Sequence, residues 1–181
     1  MNINKHEHNR HSIRLKNYDY SSNGAYFVTI CTHNREYLFG DVVDGKMETN
    51  SLGNLVVSTW ELLPNRFPVI IDTYQIMPNH FHGIIIIVGA GLVPALELGA
   101  PVTNRAPTRG APTSKQPTLG NIIGAFKSLT TNAWSNGKFW QRNFYEHVIR
   151  NEQELYKIQE YIELNPAMWE RDRNNMENIY V

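Results

Sequence analysis

Apolar residues in this chain fall into short strand-like runs and helical stripes, separated by polar turns. Residues 25–32 (Ala-Tyr-Phe-Val-Thr-Ile-Cys-Thr) are β-branched and aromatic and follow Asn23-Gly24, which predicts a strand. Residues 36–49 read as a short hairpin turning at Asp44-Gly45. Ser51 is placed to cap a helix from Leu52 to about Leu63, stopped by Pro64. Residues 69–77 form a second strand, Pro78-Asn79 a tight turn, and residues 80–88 a third, nearly all-apolar strand. A continuous apolar strand is central in its sheet or covered on both faces.

Residues 119–134 carry apolar side chains at helical spacing: Ile122, Ile123, Phe126, Leu129 and Ala133. Lys127 lies off that stripe and is expected to be exposed. Gly137 breaks the helix. Residues 139–150 mix aromatics with Arg142, His147 and Arg150. They read equally well as core or as a surface that stacks and clamps single-stranded nucleic acid. Asn151 with Glu154 resembles a capping box with Asn in place of Ser or Thr. Leu155, Ile158 and Ile162 make the buried stripe of the helix that follows, and Pro166 ends it. Strands and helices alternate irregularly around a hairpin at 78–79. The expectation is an α+β sandwich on a largely antiparallel sheet.

Composition narrows the setting. The 181 residues suit one domain, 1–181, with room for a real core. Five of the nine prolines lie in 89–118, where Ala-Pro recurs, so this stretch reads as a flexible loop inside the domain. Its Arg105, Arg109 and Lys115 fit a plain insertion better than a polyanion surface. The polar arm 1–24 carries Lys5, Arg10, Arg14 and Lys16, and reads as a solvated tail or a nucleic-acid arm. Seventeen basic residues balance seventeen acidic ones, which argues against an extended basic coat but not against a local basic patch. Cys31 has no cysteine to pair with and reads as a packed thiol. No apolar signal core begins the chain, and the longest apolar run is too short to span a bilayer. The expected setting is soluble, reducing and cytoplasmic, without a membrane partner.

The candidate chemistry centres on Asn79-His80-Phe81-His82-Gly83, which runs into Ile84-Ile85-Ile86-Ile87-Val88. Strand side chains alternate, so His80 and His82 share a face, about 7 Å apart along the strand. Two such imidazoles can converge on one metal ion, with an oxygen ligand from elsewhere in the fold. Tyr161 and Asn165 share a face of the 151–165 helix, and Lys157 lies one turn before Tyr161. Over the mouth of strand 80–88 that face would add a phenol and an amide oxygen. A phenol, with a pKa of about 10, becomes a competent nucleophile when its electrophile is polarised and held in line. A divalent ion on a phosphate oxygen does both. Each residue also has a plainer reading: core histidines, a buried structural tyrosine, a C-terminal cap at Asn165. Tyr145 and Tyr156 compete with Tyr161. No metal role is expected for His6, His8, His11, His33 or His147.

The chain resembles the single-tyrosine His-hydrophobe-His (HUH) transposases, in the branch of REP-associated tyrosine transposases. The matching stretches are 12–16 (Ser-Ile-Arg-Leu-Lys), 25–32, Met77-Pro78-Asn79-His80-Phe81-His82, Phe139-Trp140-Gln141-Arg142 and Glu160-Tyr161-Ile162-Glu163-Leu164-Asn165-Pro166, in the family's order. The resemblance implies a ferredoxin-like core of antiparallel strands with helices packed on one side. It implies a DNA-cutting and rejoining enzyme whose partner is a DNA hairpin with a single-stranded flank. Tyr161 corresponds to the nucleophile, His80 and His82 to the metal histidines, and Asn165 to the helix ligand four residues later. Mg²⁺ or Mn²⁺ is the implied ion, and the implied product is a 5′-phosphotyrosine with a free 3′-hydroxyl. Lys157 would help orient or neutralise the phosphate, and Arg14, Lys16, Lys127, Arg142 and Arg150 would contact DNA. Three rivals stay open: a hairpin-binding protein that does not cut, a metal-dependent nuclease using water, and a structural protein. A homodimer also stays open, with Tyr161 acting in its own subunit or its partner's.

Overall fold

The computed structural model describes residues 18–88 and 116–176. Arg14, Lys16 and nearly all of the proline-rich stretch 89–118 lie outside the described residues. Strand β1 (Gly24–Cys31) leads through the hairpin of β2 (Gly40–Val43) and β3 (Lys46–Thr49) into helix α1 (Ser51–Glu61). Strands β4 (Val69–Met77) and β5 (His80–Ile87), helix α2 (Leu119–Trp134), strand β6 (Tyr145–Ile149) and helix α3 (Glu152–Leu164) follow. One sheet runs in the order β4-β5-β1-β6 with every pair antiparallel. With the β2–β3 hairpin set aside, this is the strand–helix–strand–strand–helix–strand topology of a ferredoxin-like α+β sandwich. Among the described residues, no helix is long and apolar enough to cross a membrane.

The all-apolar β5 is central, as its composition requires. One face of the sheet turns Val28, Ile30, Phe81 and Ile85 onto Val56 and Trp60 of α1 and Ile122 and Phe126 of α2. The other face turns Phe27, Ile84 and Ile149 onto Leu155, Ile158 and Ile162 of α3. Helices α1 and α2 thus form the expected one-sided layer. Helix α3 covers part of the opposite face, the face that carries both histidines. Gly83 is dictated by this packing, because a Cβ there would stand 2.6 Å from Trp60 Cζ2.

Local signals behave as expected with two corrections at helix starts. Asp44 and Gly45 both take positive φ (49° and 71°), the conformation a two-residue hairpin turn demands. The cap of α1 is Asn50 rather than Ser51: its Oδ1 accepts from the Leu52 and Gly53 amides, both at 3.0 Å, which makes Ser51 the first helical residue. Asn151 Oδ1 caps α3 by accepting from the Glu154 amide at 2.8 Å. The Glu154 carboxylate does not return the bond to Asn151; it accepts from the Arg150 amide at 2.8 Å and pairs with His147 Nε2 at 2.7 Å.

A bulge between Ile71 and Tyr74 anchors α3 to the sheet edge. There the Asp72 carboxylate accepts from Gln159 Nε2 of α3 at 2.7 Å and from the Thr73 amide and hydroxyl. Burial pushes the Asp72 carboxyl up, but these three hydrogen bonds outweigh it and leave it below the ordinary range.

Candidate active site

His80 and His82 open β5 and are both fully buried. Across the sheet they face Cys31 and Thr29 of β1. His82 Nδ1 lies 2.9 Å from Thr29 Oγ1, and Phe27 stacks on its ring at 5.4 Å. His80 Nδ1 lies 2.8 Å from Asn79 Oδ1. The two Nε2 atoms then face each other at 2.9 Å. Burial, with the Arg35 and Arg173 cations beside it, holds His80 down at about 3. Burial, then His80 itself, holds His82 well below its ordinary value. Both rings are therefore neutral at physiological pH, the form that binds metals.

Asp172 supplies a carboxylate beside the two imidazoles. Its carboxylate and the two imidazoles place ligand atoms within 4.8 Å of one another, with Asp172 Oδ2 4.0 Å from His80 Nε2. Asp172 follows a 3₁₀ turn, Trp169–Arg171, and the segment is tied down from three sides. Asn79 Nδ2 donates to the Asn174 carbonyl at 2.7 Å, Arg35 Nη1 to the Arg173 carbonyl at 3.0 Å, and Tyr37 Oη to Asn175 Oδ1 at 2.6 Å. Sequence reasoning missed Asp172 because it stands in irregular chain with no periodic relation to the histidines. Nothing local separates it from the other acidic residues.

Helix α3 delivers the phenol. Tyr161 Oη stands 3.4 Å from His82 Nε2, and the residue as a whole is 42% exposed. Burial of the hydroxyl raises the phenol above its ordinary pKa and Asp172 adds to this, while the Asn165 side chain and Arg173 act in the opposite direction. Asn165 occupies the C-cap position of α3 and is buried, and its Oδ1 has no hydrogen-bond partner. An orphaned buried amide oxygen costs about 1–3 kcal/mol, a cost that a bound cation removes. Lys157 is exposed one turn before Tyr161. Of the competing tyrosines, Tyr145 meets the edge of Phe27 at 6.3 Å, and Tyr156 is 67% exposed on the outside of α3.

The donor set suits a divalent ion. The imidazole nitrogens stand 2.9 Å apart, Asp172 Oδ2 lies 4.0 Å from His80 Nε2, and all three ligand atoms lie within 4.8 Å of one another, so one ion could be held between them. Two imidazoles and a carboxylate would also leave positions for a phosphate oxygen.

The residues expected to touch DNA separate. Arg142 is exposed at the histidine end of the sheet, next to Gln141, whose amide pairs with the Cys31 carbonyl at 2.9 Å. Arg150 is exposed at the far end of β6, beyond the Ile149–Ala25 pair. Lys127 corrects the expectation of exposure. It is half-buried, with Nζ donating to the Gln141 and Asn143 carbonyls, both at 2.9 Å, and lying over the Phe144 ring. Phe139 and Trp140 settle as core, with Trp140 Nε1 donating to Thr130 Oγ1 at 2.8 Å. A cleft of about 520 Å³ opens beside the site between the β2–β3 hairpin and residues 166–175; Trp169, which lines it, also packs 6.0 Å from the His80 ring.

Comparison with known proteins agrees with this architecture. A search against family models matches none. The chain is 46% identical over 175 residues to a protein of Haemophilus influenzae described as uncharacterized, covering 92% of this chain and 93% of that one. The two belong to one family. A solved structure of a REP-associated tyrosine transposase bound to a REP hairpin matches 86% of this chain and 73% of its own length, with a TM-score of 0.56 at 18% identity. The fold is that of the REP-associated tyrosine transposases, as the motifs implied.

Proposed function

We propose that this protein cuts and rejoins single-stranded DNA beside a hairpin, through a covalent phosphotyrosine on Tyr161. His80, His82, Asp172 and Asn165 hold a divalent ion, Mg²⁺ or Mn²⁺. One observation carries the reading: the Tyr161 hydroxyl lies 3.4 Å from His82 Nε2, beside two buried imidazoles whose Nε2 atoms are 2.9 Å apart. The hairpin substrate is carried over from the solved transposase of the same fold, which is bound to one.

When bound, the ion polarises a phosphate and neutralises charge on its non-bridging oxygens. Tyr161 Oη attacks the phosphorus. The Oη–P bond forms as the P–O3′ bond breaks, and the leaving 3′ oxygen takes up a proton to become a hydroxyl. The phenol proton passes to solvent, which reaches the half-exposed Tyr161. Attack by a second 3′-hydroxyl reverses the step and rejoins DNA without ATP, because the ester has stored the bond. Lys157, one turn away, orients the phosphate. Arg142, Arg150, Arg14 and Lys16 contact the backbone, which fixes register rather than sequence.

The test is a covalent-adduct assay on a labelled hairpin with single-stranded flanks from the protein's own genomic neighbourhood. The wild type with Mg²⁺ should give a denaturation-resistant adduct that chelator abolishes and Tyr161→Phe lacks. Cleavage that persists in Tyr161→Phe without an adduct would replace the reading with a water-using nuclease. Metal-independent hairpin binding with no cleavage would replace it with a binding protein.

A further inference from the structure

Asn79 sits in the tight turn between β4 and β5, is fully buried, and touches both halves of the site. Its Nδ2 donates to two backbone carbonyls, Asn174 at 2.7 Å and Arg35 at 3.1 Å. Carbonyls only accept, so these bonds identify the NH₂ end of the amide. The end facing His80 Nδ1 at 2.8 Å is therefore the oxygen. An amide oxygen also only accepts, so His80 Nδ1 carries the proton. A neutral imidazole has one N–H, which leaves a lone pair on His80 Nε2, the atom facing His82 Nε2.

The same amide locates the carboxylate. Asp172 Oδ1 accepts from the Asn174 amide at 2.5 Å, so Asp172 and Asn174 form one compact turn. Gripping the Asn174 carbonyl fixes that turn and leaves Asp172 Oδ2 on the His80 side. His82 needs no such fixed partner. Its Nδ1 meets the Thr29 hydroxyl, which can donate or accept as the ring requires.

We propose that Asn79 is the positioning residue of the site: one side chain sets the His80 tautomer and holds the segment that brings Asp172 to it. Its link to a metal rests on the function proposed above; the tautomer assignment does not. The backbone of the turn is held separately, since the Asn79 carbonyl accepts from the Thr32 amide at 2.9 Å and hydroxyl at 3.0 Å. Thr32→Val therefore loosens the same turn, together with the Glu36 carbonyl that shares the Thr32 hydroxyl at 2.8 Å, and leaves the three partners of the Asn79 side chain (Arg35, Asn174 and His80) in place.

Two readouts test this on the full chain. In the metal-free wild type at neutral pH, long-range ¹H–¹⁵N spectra should find the His80 proton on Nδ1; a proton on Nε2 overturns the proposal without any variant. Mn²⁺ titration should find the affinity of Asn79→Ala reduced about 10–100-fold, the usual effect of removing a partner behind a ligating histidine. Thr32→Val should lower thermal stability yet keep wild-type tautomer and affinity. Wild-type affinity in Asn79→Ala, or an equal loss in Thr32→Val, overturns the role of Asn79. A wild type that binds no Mn²⁺ instead overturns the metal reading of the whole site.

Discussion

At the scale of the residue, Lys127 shows what a buried cation does to stability. Its ammonium group keeps two carbonyl partners but loses most of its water, and burial lowers its pKa from 10.5 to about 8. Below pH 8 the lysine is charged in folded and unfolded chains alike, and the desolvation cost is fully present. Between about 8 and 10.5 the folded chain holds the neutral amine while the unfolded chain stays protonated, so the unfolded chain binds more protons and stability rises with pH. Denaturant unfolding at pH 7, 8, 9 and 10 should therefore show the wild type gaining on Lys127→Met across that window. A difference flat in pH would show that the amine is solvated. Asp172 makes the complementary case. Asp172→Asn keeps the shape and removes the charge, and should weaken Mn²⁺ binding at least about tenfold by calorimetry, as losses at a metal's surroundings do. The histidine pair was legible in the sequence because strand alternation puts residues two apart on one face. Asp172 was not, because the hydrogen bonds that bring it to His80 run through chain with no local rule.

At the scale of the element, the sequence read best where local and tertiary demands agree. The strands at 69–77 and 80–88 and the helix at 119–134 all form with their apolar faces inward. The bulge at Asp72 escaped, since its reason lies in Gln159 on α3, far along the chain. Two glycines test the packing account in opposite directions. At Gly83 a methyl group would meet the Trp60 indole at 2.6 Å, so Gly83→Ala should destabilise by about 1–3 kcal/mol, the range of an overfilled core. At Gly124, inside α2, nothing lies within 4 Å of the added carbon. Gly124→Ala should therefore stabilise by about 0.5–1 kcal/mol through helix propensity alone. Thermal denaturation of the two variants should move Tm in opposite senses; an unchanged or raised Tm in Gly83→Ala would mean that Trp60 does not press on β5, and a lowered Tm in Gly124→Ala would mean that this part of α2 is not open.

At the scale of the whole molecule, zero net charge demands that any DNA contact be local, and this bears on residues 89–115. The flanks of that stretch are anchored without it. The Val88 amide donates to the Pro68 carbonyl at 3.0 Å, the Leu119 amide to the Tyr20 carbonyl at 2.9 Å, and Gln116 Nε2 to the Val88 carbonyl at 3.1 Å. Replacing residues 89–115 with a Gly/Ser linker of about six residues should leave the fold intact. If the stretch is a flexible loop, as its proline content predicts, stability should rise by about 1 kcal/mol, because loop-closure cost falls by about 0.6 kcal/mol for each halving of length. The same variant asks whether Arg105, Arg109 and Lys115 touch DNA. Each neutralised phosphate contributes about −0.9 to the slope of log affinity against log salt on duplex DNA. If the stretch is an insertion without a DNA role, wild type and variant should share one slope on the hairpin, and the phosphate contacts belong to the arginines around the sheet. A slope shallower by about 2–3 in the variant would assign those contacts to the inserted cations instead.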